Sequence, residues 1–155
     1  MAYDLEPAIK DVLEKINFIA RYKDMSLKFS DRENTFENYE NGKIMEVFES
    51  MGYKARYMRR ENFFIVGEVK NKDVYKFKFN VSLEYGMVEL IWSTWHEGNV
   101  RVGDPWGMLV TLLSNDTEKI LRPCFHSYEE LKEIMGIAIE MYEDFKRELI
   151  AVYCP

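Results

Sequence analysis

The spacing of apolar residues along the chain changes at Gly52, dividing the sequence into a helical opening, a stranded middle and a helical end. Before that point Leu5, Ile9, Val12, Ile16 and Ile19 recur at helical intervals. They predict one helix from about Leu5 to Lys23, capped by Asp4, with Pro7 tolerated in the first turn where a missing N–H costs little. The stretch from Asp24 to Tyr39 is polar and predicts no element. Ile44, Val47, Phe48 and Met51 then share one side of a second helix, about Glu40 to Met51. Gly52 stands at the left-handed position that ends many helices.

After Gly52 the period is two. Tyr53 to Arg59 reads as a strand and Arg60-Glu61-Asn62 as a turn. Phe63 to Val69 is apolar on both faces, which places it inside a sheet rather than at its edge. Past a turn at Asn71-Lys72-Asp73, Val74 to Ser82 alternates. Tyr75, Phe77, Phe79 and Val81 face one way, and Lys76, Lys78 and Asn80 the other. Met87 to Trp95 follows, with Val88, Leu90 and Trp92 on one face. Connections of hairpin length make these strands an antiparallel meander.

Helical spacing returns at Trp106, Leu109, Val110 and Leu113, in a short helix with Asp104 as N-cap and Pro105 at its first position. Lys119 to Phe125 reads as a short edge strand, because Pro123 has no N–H to give a central ladder. The last helix opens with a capping box, Ser127-x-x-Glu130, and carries Leu131, Ile134, Ala138, Met141, Tyr142, Phe145 and Leu149 as one buried stripe. The whole is α+β: a four- to five-stranded antiparallel meander flanked by N-terminal helices and a long C-terminal helix, one domain over residues 1–155. The helices pack on one sheet face. The other face carries Lys76, Lys78 and Glu89 and is open to water or to a partner.

Composition narrows the class. At 155 residues and 47% hydrophobic content the chain can bury a core without disulfide staples. No apolar run reaches the ~20 residues of a spanning helix, and the opening residues show no secretory leader. Two cysteines, Cys124 and Cys154, are too few for a disulfide framework. The expectation is a reduced, cytoplasmic protein that does not engage a membrane. Net charge is −6, but Tyr53 to Asn80 holds eight basic residues and three acids, so it carries +5 and the remainder −11. The acidic remainder disfavours nucleic acid and favours basic partners. The basic run is either a solvated strand face or, in the opposite reading, a nucleic-acid contact.

Candidate chemistry is sparse. Cys124 and His126 share a strand face, but a zinc site wants three or four such ligands, and the other sulfur and imidazole, Cys154 and His96, are distant in sequence. A Cys–His nucleophile built from Cys124 with His96 or His126 is conceivable, although nothing local activates the thiol. His96-Glu97-Gly98 begins a metalloprotease motif and lacks its second histidine. The chain is therefore read as a non-enzyme with no cofactor and no metal.

The aromatics point elsewhere. Trp92 is in phase with Val88 and Leu90, and Trp106 lies on a helical apolar stripe, so both belong to the core. Trp95 is out of phase, on the face of Glu89, Ile91 and Ser93, where the chain runs into His96, Glu97 and Arg101. An exposed tryptophan beside charge is the usual form of a protein–protein anchor. The competing reading covers Ile91 and Trp95 with the N-terminal helix or with segment 24–39.

The end of the chain, DPWGMLVTLL followed by LRPCFHSYEELKEIMGIAIEMYEDFKREL, resembles the immunity proteins of bacterial polymorphic-toxin and contact-dependent growth-inhibition systems. The resemblance implies a toxin inhibitor that binds a cognate toxin domain, often a nuclease, and blocks its active site or an exosite. On that reading the partner-binding residues are Glu84, Tyr85, Glu89, Trp95, His96, Glu97 and Arg101. The carboxylates enter a basic active site, Trp95 and Tyr85 add desolvated contact, and the basic strands face away from the toxin. The protein is then a monomer or weak homodimer. Two alternatives are an acidic secretion chaperone, which needs a stable dimer, and a small-molecule enzyme with a site near His96 and Glu97, joined by Cys124 around one cavity.

Overall fold

The computed structural model describes residues 4–155. Five strands, β1 (Ala55–Met58), β2 (Phe63–Asn71), β3 (Tyr75–Glu84), β4 (Met87–His96) and β5 (Asn99–Pro105), form one antiparallel sheet in the order of the chain. Helices α1 (Pro7–Lys15), α2 (Phe18–Lys28) and α3 (Asn41–Ser50) precede it, and α4 (Trp106–Ser114) and α5 (Tyr128–Tyr153) follow. The fold is α+β, with the meander and the long last helix that the hydrophobic pattern predicts. Among the described residues no helix is long and apolar enough to cross a membrane.

The core is a single cluster running from Leu5 on the N-terminal arm to Leu149 on α5. Alternating strand residues supply its floor: Phe64 and Val66 of β2, Phe77, Phe79 and Val81 of β3, and Val88, Leu90 and Trp92 of β4 are all buried. The predicted stripe of α5, Leu131 through Leu149, is buried against them. Trp92 lies parallel to Phe145 at 4.4 Å and edge-on to Trp106 at 4.9 Å, so both predicted core tryptophans sit at its centre. These rings and Phe18 form an aromatic cluster of the kind that gains from offset and edge-on packing beyond simple area burial.

The N-terminal helices differ from expectation in three places. The expected single opening helix is two helices, broken at Asn17, which takes the left-handed conformation (φ 57°). Arg21 spans the break, its Nη1 donating to the Ile16 carbonyl at the end of α1 and to Asp144 of α5 at 2.8 Å. The first helix starts at Pro7 with Glu6 in the cap position, so Asp4 does not cap it. The expected polar linker from Asp24 is helical as far as Lys28.

The fifth strand is Asn99–Pro105, not Lys119–Phe125. Asp104 and Pro105 are its last residues. Pro105, not Asp104, is the N-cap of α4, and the helix begins at Trp106. The segment around Pro123 makes one bridge, Cys124 to Met87, where β5 has already left the edge of β4. Pro123 contributes as an acceptor only, from the Val88 N–H. At the start of α5 half of the expected capping box is formed. Ser127 Oγ accepts from Glu130 N at 3.1 Å, while the Glu130 carboxylate turns away to His126.

Candidate functional site: the helix-free sheet face

Two left-handed features shape the face of the sheet that no helix covers. The first is a β-bulge between Val66 and Val69 of β2. Gly67 sits there at φ 58°, and its carbonyl accepts from the Tyr142 hydroxyl of α5 at 2.9 Å. A Cβ on Gly67 would stand 3.0 Å from the Tyr53 ring and 3.2 Å from Tyr142, so both backbone and packing demand glycine. A bulge re-aims side chains by adding one residue to one strand. Here it keeps Val66 and Val69 in register with core-facing Phe79 and Phe77, and turns Glu68 outward. Glu68 then lies 3.2 Å from Arg56, 3.6 Å from Lys78 and 3.8 Å from Lys76.

The second feature is the pair of two-residue hairpins at the ends of β4, Tyr85-Gly86 and Glu97-Gly98, with all four residues left-handed. This is the turn type whose twist matches that of the flanking strands. It fixes the register that sets Lys76 opposite Trp95 and Asn80 opposite Ile91.

The result is a platform with Ile65, Asn80 and Ile91 aligned across its middle and Trp95 towards one end. Trp95 is half-buried, and two ammonium groups, those of Lys76 and Lys78, stand 5.1 and 5.7 Å from its ring centre. Cation–π attraction and the pairing of both lysines with Glu68 hold the ring in place. Neither the N-terminal helices nor segment 24–39 covers it. That segment is tied to the other end of the sheet, where Thr35 Oγ1 donates to the Tyr85 carbonyl and Tyr39 to that of Leu83. Beside Trp95 lies a hollow of about 180 Å³ lined by Lys70, Lys72, Asp73, Tyr75, Lys76 and Gly98, so that three lysines and one carboxylate surround it. A larger one of about 410 Å³ flanks the bulge at Arg56, Ile65 and Glu68.

The seven residues singled out from sequence do not form one patch. Glu89 and Trp95 share the helix-free face, and Glu89 is engaged by Arg122 at 3.4 Å. Glu84 and Tyr85 are exposed at the opposite end of β4 from Glu97. Nine residue steps along that strand separate Met87 from His96, about 30 Å at strand rise. His96 lies flat on the Tyr153 ring of α5 at 4.1 Å, with Nε2 3.4 Å from Glu97. Arg101 reaches Glu6 at 3.3 Å, ahead of α1. The basic residues Lys70, Lys72, Lys76 and Lys78 around Trp95 belong to the run whose sequence readings are a solvated strand face or a nucleic-acid contact. The signal that could have joined them to Trp95 was their phase: Lys76 and Lys78 alternate out of the core as Trp95 does.

A second polar cluster joins segment 31–36 to the start of α5. Arg32 donates to Cys124 Sγ at 2.9 Å and to the Arg122 carbonyl at 3.0 Å. His126 Nδ1 meets the Glu130 carboxylate at 2.6 Å, and Nε2 meets the Glu33 carbonyl at 2.9 Å. Both of these partners are acceptors, so the arrangement favours the doubly protonated ring, in which both nitrogens donate. The Glu130 bond accordingly raises the His126 pKa above its ordinary value. With both nitrogens committed, His126 is neither a base for Cys124 nor a metal ligand in this arrangement. Burial pushes the Cys124 thiol up, against the pull of Arg32, which is the wrong direction for a nucleophile. His96 and Cys124 are at opposite ends of β4, so the cavity that would join them with Glu97 is not formed. Among the described residues no group of three or more His, Cys, Asp and Glu is placed to hold a metal ion. No family model, curated protein or solved structure matches the chain.

Proposed function

We propose that this protein is a stoichiometric inhibitor of the immunity type, which binds a toxin domain through its helix-free sheet face and occludes the toxin's active site or an exosite. The observation that carries the reading is Trp95, half-buried and held by Lys76 and Lys78 on a three-strand platform. A rigid aromatic anchor ringed by charge and flanked by aliphatic side chains has the composition of a binding hot spot. The fold supports such a role mechanically. The platform is backed by one continuous core, so little order is gained on binding and little entropy is lost. The contact surface differs from the one drawn from charge alone: Glu84, Glu89 and Glu97 lie in three places, so the proposal does not rest on carboxylates entering a nuclease site.

The test is neutralisation of candidate toxin domains, those encoded next to this protein's gene first, with purified components at increasing molar ratio. Activity should fall to background near equimolar protein. Trp95→Ala should weaken binding by at least about 30-fold, a loss of about 2 kcal/mol or more, with the folded circular-dichroism spectrum retained. Undiminished toxin activity in excess protein overturns the proposal.

A further inference from the structure

We infer that the element of the partner received by this face is an acidic polypeptide segment, with carboxylates at Lys70, Lys72 and Lys76 and an apolar side chain against Trp95. The inference rests on the reading of the protein as a partner-binding inhibitor and names the chemistry of what it binds.

Charge is the first argument. The segment holding β1, β2 and most of β3 carries +5 in a molecule of net charge −6. Glu68 is the one carboxylate set among Arg56, Lys76 and Lys78, and it balances only one of the three. Lys70 and Lys72 are exposed beside them and form no ion pair among those of the described residues. The face therefore presents surplus positive charge around its aromatic anchor, and a complementary surface is negative.

Shape and chemistry choose between acidic ligands. The hollow at Lys70, Lys72, Lys76 and Trp95 is about 180 Å³, below the roughly 300–1,000 Å³ of sites that enclose a whole small molecule. It has room for a side chain carried in by a larger partner. Single-stranded nucleic acid binds such faces by stacking bases on free aromatic rings. Here Lys76 and Lys78 stand over the Trp95 ring, and Glu68 and Asp73 set negative charge next to any phosphate track. The same acids oppose carboxylates, but a polypeptide can space single charges to meet Lys70 and Lys72, which have no acid partner among the ion pairs of the described residues. A nucleic-acid backbone instead carries a charge at every nucleotide. The exposed part of half-buried Trp95 takes the apolar contact.

The experiment is a two-dimensional 15N NMR titration of the full chain with short oligoglutamate and, separately, with oligothymidylate of equal charge. Oligoglutamate should shift the Trp95 indole and the Lys70, Lys72 and Lys76 amides saturably. The double variant Lys70→Glu/Lys72→Glu, altered only at exposed positions, should keep the spectral dispersion and weaken binding at least tenfold. Tighter saturable binding of oligothymidylate at these residues would overturn the inference in favour of nucleic acid, and no saturable shift with oligoglutamate would overturn it outright. Its failure is separable from that of the functional proposal. If the double variant neutralises toxin as well as the parent while Trp95→Ala does not, the inhibitor reading stands and the acidic segment falls.

Discussion

Tyr85 and Glu97 each hold the first position of a two-residue turn, at φ 54° and 53°. The immunity-protein resemblance makes both partner contacts, Tyr85 for its contact area and Glu97 for its carboxylate. The structure gives the exposure of each a local cause, because a turn tip is exposed wherever it occurs. The conformation is costly for both. Left-handed backbone disfavours residues other than glycine by roughly 1–2 kcal/mol, and asparagine tolerates it best. Glu97→Asn should therefore stabilise the protein by about 0.5–1 kcal/mol, since Asn-Gly is the favoured pair for this turn. Urea denaturation monitored by circular dichroism would read it. Glu97 also lies 3.4 Å from His96, a half-exposed contact of small worth, so the turn term decides the sign. A loss of stability would mean that the Glu97 side chain does more than occupy a turn.

At the scale of elements, the strands were legible where burial on one face imposes strict alternation, as in β3, and the last helix where its stripe is long and its cap explicit. The misses have definite causes. The break at Asn17 is masked because Ile16 and Ile19 are also at helical spacing, yet the buried stripe after it is Phe18, Tyr22 and Met25, two residues out of step with Ile16, and Ile19 is only half-buried. β5 has only Val100 and Val102 to alternate, and Val100 is exposed, so a half-paired edge strand read as loop. The bulge at Gly67 was hidden because one inserted residue shifts the phase of every side chain after it, and with it went the placement of Glu68. Trp95 was legible from phase alone; its lysine partners were not joined to it.

The link between segment 31–36 and α5 belongs to this scale and depends on pH. His126 lies between Glu130 and the Glu33 carbonyl, and its pKa in the fold is raised above 6.5 first by the Glu130 bond. A raised pKa means that the folded state holds the proton more tightly. The stabilisation is complete below pH 6.5 and is lost as pH rises through the folded value. In His126→Gln the melting temperature should lie below that of the parent at pH 5.5, and the gap should narrow above neutrality. A differential scanning calorimetry series across that range checks it. A gap independent of pH would mean that the ring contributes packing alone.

For the whole molecule, the arrangement of charge matters more than its sum. A net charge of −6 and an isoelectric point near 5.1 describe a protein that a cation exchanger should reject at neutral pH. The sheet face argues otherwise, because the eight basic residues of segment 53–80 lie in or beside β1, β2 and β3 while the −11 is spread over the rest. Exposed charges farther apart than a Debye length, about 10 Å at 0.1 M salt, act nearly independently, so a surface can respond to one patch even when the whole is of opposite sign. At pH 7.5 and low ionic strength the protein should be retained on a sulfonate resin and released by moderate salt. Lys70→Glu/Lys72→Glu should pass unretained at unchanged melting temperature, while the same reversal at Lys132 on α5, far from the patch in sequence and exposed, should leave most of the retention in place. Passage of the parent protein in the void volume would mean that Glu68, Asp73 and the acidic surroundings already neutralise the face. It would then present Trp95 without a field, and the long-range attraction that speeds encounter with an acidic partner would be absent.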